Sequence, residues 1–348
     1  MLVNSLSKLG EYQNIVVTLH PDNQFENELI CDEYICLYED RLRSLITAAF
    51  KLRKLIKKYK PILVHSHLPF SNFTARLATP AHIPLITTIH TSIATATEYK
   101  KWYIRFIDKA TYKFRNSTML AVSKTSQQDY YKVLGLKFNE KNNHILYTFA
   151  SEKFSGKAPQ VFNESTSVFK MICVGALRPG KNYLFLINAL SKINDPDLHL
   201  DIFGAGPQRE EMKDAIRKSQ VPVILKGQVK NINALLPYYD LFVMPSKFEG
   251  FSLSVLEAMT ARCPMLLSDI PSFREQCLDT ALYFDLDNVD DFIAKLLLLK
   301  QQKSYRLAMA GKAFQRVRDN FTIEQHIGKL KEIYSDVQEL AQRNKIFS

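Results

Sequence analysis

Two glutamates separated by seven residues form the strongest chemical pattern in the sequence, within the segment Phe248–Met259 (FEGFSLSVLEAM). Glu249 and Gly250 lie on a predicted turn after an apolar strand, and a helix is predicted to begin near Ser252. The unpaired N–H groups at a helix N-terminus suit a phosphate, and glycine lets the backbone approach a ligand closely. A carboxylate at Glu257 can accept hydrogen bonds from both hydroxyls of a ribose. The segment therefore indicates a nucleoside diphosphate sugar as ligand, although the bare spacing also fits a strand–turn–helix with two solvated acids.

Short apolar runs alternate with helical patterns along most of the chain, which is typical of parallel sheets with crossover helices. In the first half the predicted strands are Ile15–Leu19, Ile62–Val64, Leu85–Ile89, Met119–Val122 and Ile145–Tyr147. In the second half they are Phe169–Val174, Leu198–Phe203, Val221–Leu225, Leu241–Met244, Pro264–Leu267 and Ala281–Phe284. We therefore predict an α/β protein of two Rossmann-like, doubly wound domains, with ligands bound in a cleft at the carboxyl ends of the strands.

The domain boundaries follow from the same alternation. We predict an N-terminal domain over 1–150, a polar linker over 151–167, a C-terminal domain over 168–320, and a final helix over 321–348 that packs back on the N-terminal domain. The chain opens on an amphipathic helix, Met1–Leu9, where a doubly wound domain normally opens with a strand and a glycine-rich turn. The first strand of the N-terminal domain is therefore expected to be missing or supplied from elsewhere, and our hypothesis is a misassigned start or a truncated gene.

Composition excludes several classes of protein. The 348 residues are 46% hydrophobic and 23% charged, which is typical of a folded globular chain and not of a disordered one. The five cysteines include no C-x-x-C pair, which argues for a reducing compartment and against a disulfide framework or a structural zinc site. With no apolar run of membrane-spanning length and no recognisable secretory signal, we predict a cytoplasmic protein.

The basic charge is concentrated in the first half. The formal net charge is +11, and both 51–60 (KLRKLIKKYK) and 99–115 (YKKWYIRFIDKATYKFR) combine lysine and arginine with apolar or aromatic residues. The plainest interpretation is a solvated helix face over a core stripe. A second is peripheral contact with an anionic membrane, on the inner face of the plasma membrane. Nucleic acid ranks third because no recognisable nucleic-acid module accompanies the charge, and we predict no nucleic-acid partner.

The motifs, taken together, resemble the retaining glycosyltransferases of family 4, the group 1 enzymes of bacterial polysaccharide synthesis, which have the two-domain GT-B fold. The family's paired glutamates correspond to Glu249 and Glu257. The surrounding segments match in order and spacing over about residues 169–300: VGALRPGKN, FGAGP, KGQV, YYDLFVMPS and CPMLLSDIPSFRE. A looser likeness in the first half comprises VHSH, TTIHT and AVSK.

The resemblance implies a role for individual residues. Glu257 would bind the donor ribose, and Glu249 would contact the donor sugar. Lys181 would neutralise the diphosphate as it gains charge, and the backbone of Val229 would meet the nucleobase. His90 corresponds to the family's active-site histidine. The backbone amides that would hold the sugar and the phosphate are those of Gly250, Phe251, Ser252 and Leu253. No metal or other cofactor is implied.

Three departures from the family pattern bear on these roles. Where the family often has an arginine this chain has Ala176, and we infer that Arg178 substitutes for it. Arg262 stands where the family usually has glycine. The family's opening strand and its Gly-Gly loop have no counterpart at the start of this chain, which is what the misassigned-start hypothesis addresses.

The resulting expectation is a hexosyltransferase that moves a sugar from a nucleoside diphosphate to a hydroxyl of a glycan or lipid-linked glycan. Two alternatives stay open, a nucleotide-sugar epimerase on the same fold and a non-catalytic partner that binds the donor. A third concerns three histidines, since His65 and His67 alternate on a strand near His90 and could together hold a metal ion.

Overall fold

The computed structural model describes residues 2–21, 28–39, 42–115, 117–150, 168–193 and 195–346. It divides into two compact units. The N-terminal unit consists of residues 1–147 and 324–348, and the C-terminal unit consists of residues 148–323. The predicted linker 151–167 lies outside the described residues.

The N-terminal unit contains two parallel sheets. Its strands are β1 (Ile15–Thr18), β2 (Glu33–Cys36), β3 (Val64–His67), β4 (Leu85–Ile89), β5 (Thr118–Ala121) and β6 (Asn143–Ile145). Its helices are α1 (Leu2–Leu9), α2 (Leu45–Tyr59), α3 (Pro69–Ala78), α4 (Trp102–Phe114), α5 (Lys124–Leu134) and most of α12 (Ile323–Ile346). Strands β3, β4, β5 and β6 form one sheet in chain order, and β1 pairs with β2 separately.

The core of this unit lies on the helix side of the four-stranded sheet. Strand β4 is buried along its whole length, as expected for a central strand with both faces covered. Helices α3 and α4 are joined by a buried ion pair between Arg76 and Asp108, whose Nη1 and Oδ1 atoms lie 2.6 Å apart. Tyr130 donates a hydrogen bond to the same carboxylate oxygen at 2.7 Å, so the buried carboxylate has a second donor besides the guanidinium.

The last helix, α12, packs on this unit. Its Tyr334 lies 2.8 Å from the Nδ1 atom of His65, and its Lys331 forms a surface ion pair with Glu11. His326 contacts the carbonyl oxygen of Tyr147 at 2.8 Å. These contacts place the C-terminal helix against strand β3 and the segment that precedes β1.

The C-terminal unit is a six-stranded parallel sheet covered by helices. Its strands are β7 (Phe169–Val174), β8 (Leu198–Phe203), β9 (Val223–Gly227), β10 (Leu241–Met244), β11 (Met265–Ser268) and β12 (Leu282–Phe284). Its helices are α6 (Tyr183–Ser191), α7 (Arg209–Ser219), α8 (Leu253–Thr260), α9 (Pro271–Cys277), α10 (Val289–Gln301) and α11 (Lys303–Asn320).

The strand order of this sheet is β12-β11-β10-β7-β8-β9. From β7 the chain runs outward to β8 and β9, and it then returns to β10 on the other side of β7. The order therefore reverses between β7 and β10. In open parallel sheets ligands bind outside the carboxyl ends of the strands at such a reversal. The loops that follow β7 and β10 are thus the expected place for a ligand.

The structure differs from the sequence-based prediction in two additional elements and in the bounds of three strands, since β3, β6 and β9 are each displaced by about two residues from the predicted runs. Strand β2 and helix α9 were not predicted, because both are short and β2 is only half-buried. The final helix predicted over 321–348 corresponds to α12, which is separated from α11 at Phe321, whose ring is buried and packs against that of Phe251. The helix predicted to begin near Ser252 begins at Leu253, with Ser252 as its N-cap residue. None of the described helices is both long enough and apolar enough to cross a lipid bilayer.

Candidate active site

Lys181 and Glu249 meet at the reversal of strand order in the C-terminal unit. Lys181 belongs to the loop after β7, and Glu249 belongs to the loop after β10. The Nζ atom of Lys181 lies 2.6 Å from Oε1 of Glu249, and the hydroxyl of Ser246 donates to the same oxygen at 2.7 Å. The amide of Lys247 also donates to the carbonyl oxygen of Gly180 at 2.9 Å. Two residues predicted from the family resemblance are therefore brought together by backbone and side-chain bonds between adjacent loops.

Glycines allow the loops after β7 and β8 to touch. A Cβ atom at Gly204 would lie 1.9 Å from the carbonyl oxygen of Gly175, and one at Gly206 would lie 2.4 Å from that of Leu177. No side chain fits at such distances. The segment FGAGP is therefore needed for contact between two loops, and any larger residue would push the loop that carries Lys181 away from the sheet.

The N-terminus of helix α8 follows Glu249 by four residues. The hydroxyl of Ser252 accepts a hydrogen bond from the amide of Val255 and so caps the helix. The buried side chain of Gln276 holds Ser252 from both sides, since it accepts from the Ser252 amide at 3.0 Å and donates to the Ser252 carbonyl at 2.9 Å. The amide of Ser252 is thus already satisfied. Over the described part of the chain, the amides of Leu253 and Ser254 have no hydrogen-bond acceptor and point out of the helix end.

Glu257 lies in the second turn of α8 and is partly buried. Burial raises the pKa of its carboxyl from 4.5 to about 7, and the side chain of Asn233 partly offsets that rise by hydrogen bonding. The Oδ1 atom of Asn233 is itself buried and has no hydrogen-bond partner among the described residues. The carboxyl of Glu257 therefore lies next to the side chain of Asn233, and its ionised form is an acceptor that suits the hydroxyl groups of a ribose.

The other predicted donor-binding residues surround these groups at the carboxyl edge of the sheet. Arg178 follows β7 and is exposed, and its guanidinium makes no hydrogen bond or ion pair within the described ranges. Val229 follows β9 with 42% of its surface exposed. Gly250 and Phe251 link Glu249 to the cap residue, and the ring of Phe251 points into the core. The roles assigned to these residues stay predictions.

His90, the histidine expected in the active site, lies in the N-terminal unit immediately after β4 and is exposed. Its Nε2 atom lies 3.0 Å from the Nδ1 atom of His67. His65 has both ring nitrogens engaged, with Tyr334 at 2.8 Å and with Thr88 at 2.6 Å. Within the described residues no group of three His, Cys, Asp or Glu side chains is arranged to hold a metal ion.

Four residues of the site had no assigned role in the sequence analysis. Ser246 ends the segment YYDLFVMPS, and its position three residues before Glu249 was an available signal. Gln276 and Asn233 come from distant segments, and nothing in the sequence marks them as neighbours of Ser252 and Glu257. The fourth, Tyr183, is a buried tyrosine whose hydroxyl lies next to Gly175. That hydroxyl has no hydrogen-bond partner in the part of the chain that the structure describes.

Two known protein families match the sequence, and together they cover nearly the whole chain. The family described as Glycosyltransferase Family 4 matches residues 1–149, and the one described as Glycosyl transferases group 1 matches residues 155–316. The chain belongs to glycosyltransferase family 4. It is therefore an enzyme that transfers a sugar from a nucleotide-sugar donor, as the resemblance to the family predicted.

Curated relatives agree with this assignment. The family 4 chain is 26% identical over 361 residues to the UDP-Gal:alpha-D-GlcNAc-diphosphoundecaprenol alpha-1,3-galactosyltransferase of Escherichia coli, covering 92% of this chain and 91% of that protein. It is 24% identical to an uncharacterized glycosyltransferase of Methanocaldococcus jannaschii, covering 94% of this chain and 91% of the relative.

Solved structures share the fold. The HepE protein of Anabaena, crystallised with UDP and glucose, superposes with a TM-score of 0.78 at 15% identity and covers 92% of this chain and 91% of its own. The sucrose-phosphate synthase of Thermosynechococcus elongatus gives a TM-score of 0.81 at 14% identity, with 97% of this chain and 91% of its own covered. The predicted GT-B class, with two Rossmann-like α/β units, is confirmed.

Proposed function

We propose that this enzyme transfers a hexose-type sugar, with retention of anomeric configuration, from a nucleoside diphosphate to a hydroxyl of a glycan or lipid-linked glycan in cell-surface polysaccharide synthesis. The observation that carries the proposal is the Lys181–Glu249 pair beside the open amides of helix α8. It combines a cation, backbone donors and a carboxylate where a parallel sheet binds its ligand. The name of the E. coli relative, which includes UDP-Gal and a diphosphoundecaprenol acceptor, supports the choice of donor and acceptor class.

The chemistry assigned to these groups is the departure of a nucleoside diphosphate. As the bond between the anomeric carbon and the phosphate oxygen breaks, its electron pair moves to the diphosphate. Lys181, Arg178 and the amides of Leu253 and Ser254 stabilise the charge that develops there. The acceptor hydroxyl attacks the same face of the sugar, and its proton passes to a departing phosphate oxygen. No covalent enzyme intermediate and no metal ion is needed for this sequence.

The remaining residues bind and orient the donor. Glu257 accepts the ribose hydroxyls, and the backbone of Val229 meets the nucleobase. When the diphosphate binds, it gives Lys181 a second anionic partner besides Glu249. The carboxylate of Glu249 can then accept hydrogen bonds from hydroxyl groups of the transferred sugar. His90 hydrogen-bonds the transferred sugar near the reacting carbon.

Peripheral membrane contact is part of the proposal, supported by two exposed helix faces of the N-terminal unit. On α4, Trp102 and Phe106 expose 75% and 65% of their surfaces beside the exposed Arg105. On α2, Ile46 and Phe50 expose 59% and 64% and precede a run of lysines on the same helix. Exposed aromatic and aliphatic side chains among cations suit the interface of an anionic bilayer, and each nearby cation adds about 1 kcal/mol.

The test is a panel of UDP-, GDP- and ADP-sugars, first screened for thermal stabilisation of the enzyme and then incubated with lipid-linked glycan acceptors. A matching donor is expected to raise the melting temperature, since it binds the native state. NMR of the product then reports the anomeric configuration, and an inverted product would contradict retention. Incubation with donor alone separates an epimerase, which would convert the sugar without any acceptor.

A further inference from the structure

Two histidines of the N-terminal unit lie at the carboxyl edge of its sheet. His67 is the last residue of β3, and His90 directly follows β4. The two strands pair in parallel, with His67 opposite Thr88. Their side chains therefore emerge at the same edge, where a parallel sheet places ligand-binding groups.

A direct hydrogen bond joins the two rings. Nδ1 of His67 and Nε2 of His90 are 3.0 Å apart, and the ring centroids are 5.2 Å apart with planes inclined by 37°. One ring must donate and the other accept, so the tautomers are coupled. If His67 carries its proton on Nδ1, His90 carries its own on Nδ1, and in the opposite state both Nδ1 atoms are acceptors. In either case Nδ1 is the nitrogen of His90 left for a ligand.

His67 is itself held in place by a neighbouring residue. The ring of His65 stacks on that of His67, with centroids 4.3 Å apart and planes inclined by 31°. His65 is fixed through both nitrogens by Tyr334 and Thr88. Burial lowers the pKa of both His65 and His67, and neighbouring imidazoles lower these two pKa values further. The hydrogen bond requires at least one uncharged ring in the pair, because two charged rings would both be donors, and the lowered pKa of His67 meets that requirement near pH 7.

We propose that His67 is a positioning residue that fixes the ring orientation of His90 and couples the tautomer of His90 to its own, so that His90 presents Nδ1 to a hydroxyl of the transferred sugar. The inference rests on the proposed function in assuming that His90 contacts the sugar. His67 reaches that sugar only through His90. A ring that rotated freely would spend much of its time in orientations that cannot form the bond, and small misplacements at a reacting centre are costly.

Substitutions at His67 distinguish the effect of its hydrogen bond to His90 from the effect of its ring contact with His65. His67→Phe keeps a ring to stack on His65 but removes the bond, and we expect kcat to fall 10- to 100-fold with the donor KM changed less than threefold. His67→Asn places an amide near the position of Nδ1, where it can donate or accept, and we expect kcat to recover to within about fivefold of the wild-type value. His82→Phe, at an exposed histidine of the same unit, is the matched control and keeps wild-type kinetics.

Two further measurements complete the test. Adding His67→Phe to His90→Ala is expected to cost nothing beyond His90→Ala alone, because the two residues act as a unit. Long-range ¹⁵N–¹H NMR spectra of the histidines are expected to show His67 and His90 in the same tautomeric form in the wild type, and a changed tautomer distribution for His90 in His67→Phe. This readout does not depend on activity and also shows whether the variant is folded.

Failure of this inference is distinguishable from failure of the proposed function. If His90→Ala lowers kcat while His67→Phe keeps wild-type kcat, or if the His90 spectrum is the same with and without His67, the positioning role is overturned. If His90→Ala itself retains full activity, the assumed contact between His90 and the sugar is wrong, and the proposed positioning role is overturned with it.

Discussion

We expect Glu257 to make opposite contributions to stability and to donor binding, which gives a test of the proposed ribose site. Burial raises the pKa of the carboxyl from 4.5 to about 7 in the folded enzyme, and one pKa unit corresponds to about 1.4 kcal/mol, so its ionised form costs up to about 3 kcal/mol. The sign follows from proton binding. Between these two pKa values the folded state holds a proton that the unfolded state has lost, so stability decreases as pH rises through this window.

Glu257→Gln is therefore expected to stabilise the ligand-free enzyme, and to do so more at pH 8.5 than at pH 5. At the higher pH the native carboxyl is ionised and its burial penalty is fully present, whereas at the lower pH the wild-type side chain is mostly protonated and resembles glutamine. Urea denaturation at both pH values measures the difference, expected at about 2–3 kcal/mol. Glu211→Gln, at an exposed glutamate of α7, is the control and shows no such pH dependence.

Donor binding is expected to respond in the opposite direction. Ribose hydroxyls donate to the ionised carboxylate, so binding lowers its pKa and releases a proton near pH 7. Calorimetry of the nucleotide sugar in buffers of different ionisation enthalpy measures that release, and Glu257→Gln should abolish it and weaken binding. Equal stabilisation by Glu257→Gln at both pH values, or donor binding without proton release, would refute the assignment of a buried ribose-binding carboxylate.

Three other substitutions test separate parts of the structure. Lys181→Met is expected to weaken donor binding by about 1.5–3 kcal/mol, measured by calorimetry, because it removes a charge-assisted contact to the diphosphate; unchanged affinity would exclude Lys181 from the site. Gln276→Leu leaves the buried amide and carbonyl of Ser252 unpaired and should lower the free energy of unfolding by about 2–4 kcal/mol in urea. Replacing Trp102 and Phe106 together by serine should reduce sedimentation with anionic vesicles at least tenfold without changing the melting temperature, and unchanged binding would contradict the membrane contact.

The parts of the site that the sequence predicted are those where one local segment carries the signal. The turn at Glu249, the cap at Ser252 and the carboxylate at Glu257 lie within one segment, so their spacing along the chain nearly determines their geometry. Lys181 came from the family resemblance alone, because only the parallel packing of β7 against β10 brings it to Glu249. Gln276 and Asn233 carried no signal, since each reaches the site through contacts between distant segments.

Arg262 shows how a departure from the family pattern can be interpreted once the backbone is known. Its φ angle is +53°, in the left-handed region where glycine is the favoured residue. This explains why the family usually has glycine there. The guanidinium of Arg262 lies over the ring of Phe314, 4.1 Å from its centroid. The sequence could show the substitution, but neither the positive φ angle nor the contact with Phe314.

The ion pair between Lys181 and Glu249 orders the flexible lysine side chain in the ligand-free enzyme. A free lysine side chain has about 2 kcal/mol of rotamer entropy to lose when it binds a phosphate. Here Glu249 has already ordered it, and Glu249 is in turn held by Ser246, a residue of the strand-end loop. If Lys181 binds the diphosphate as proposed, the donor exchanges one partner of Lys181 for another without having to immobilise the lysine side chain. The proposal then also implies that the carboxylate of Glu249 becomes available to sugar hydroxyls when the diphosphate binds, so that one polar contact prepares both halves of the proposed donor site.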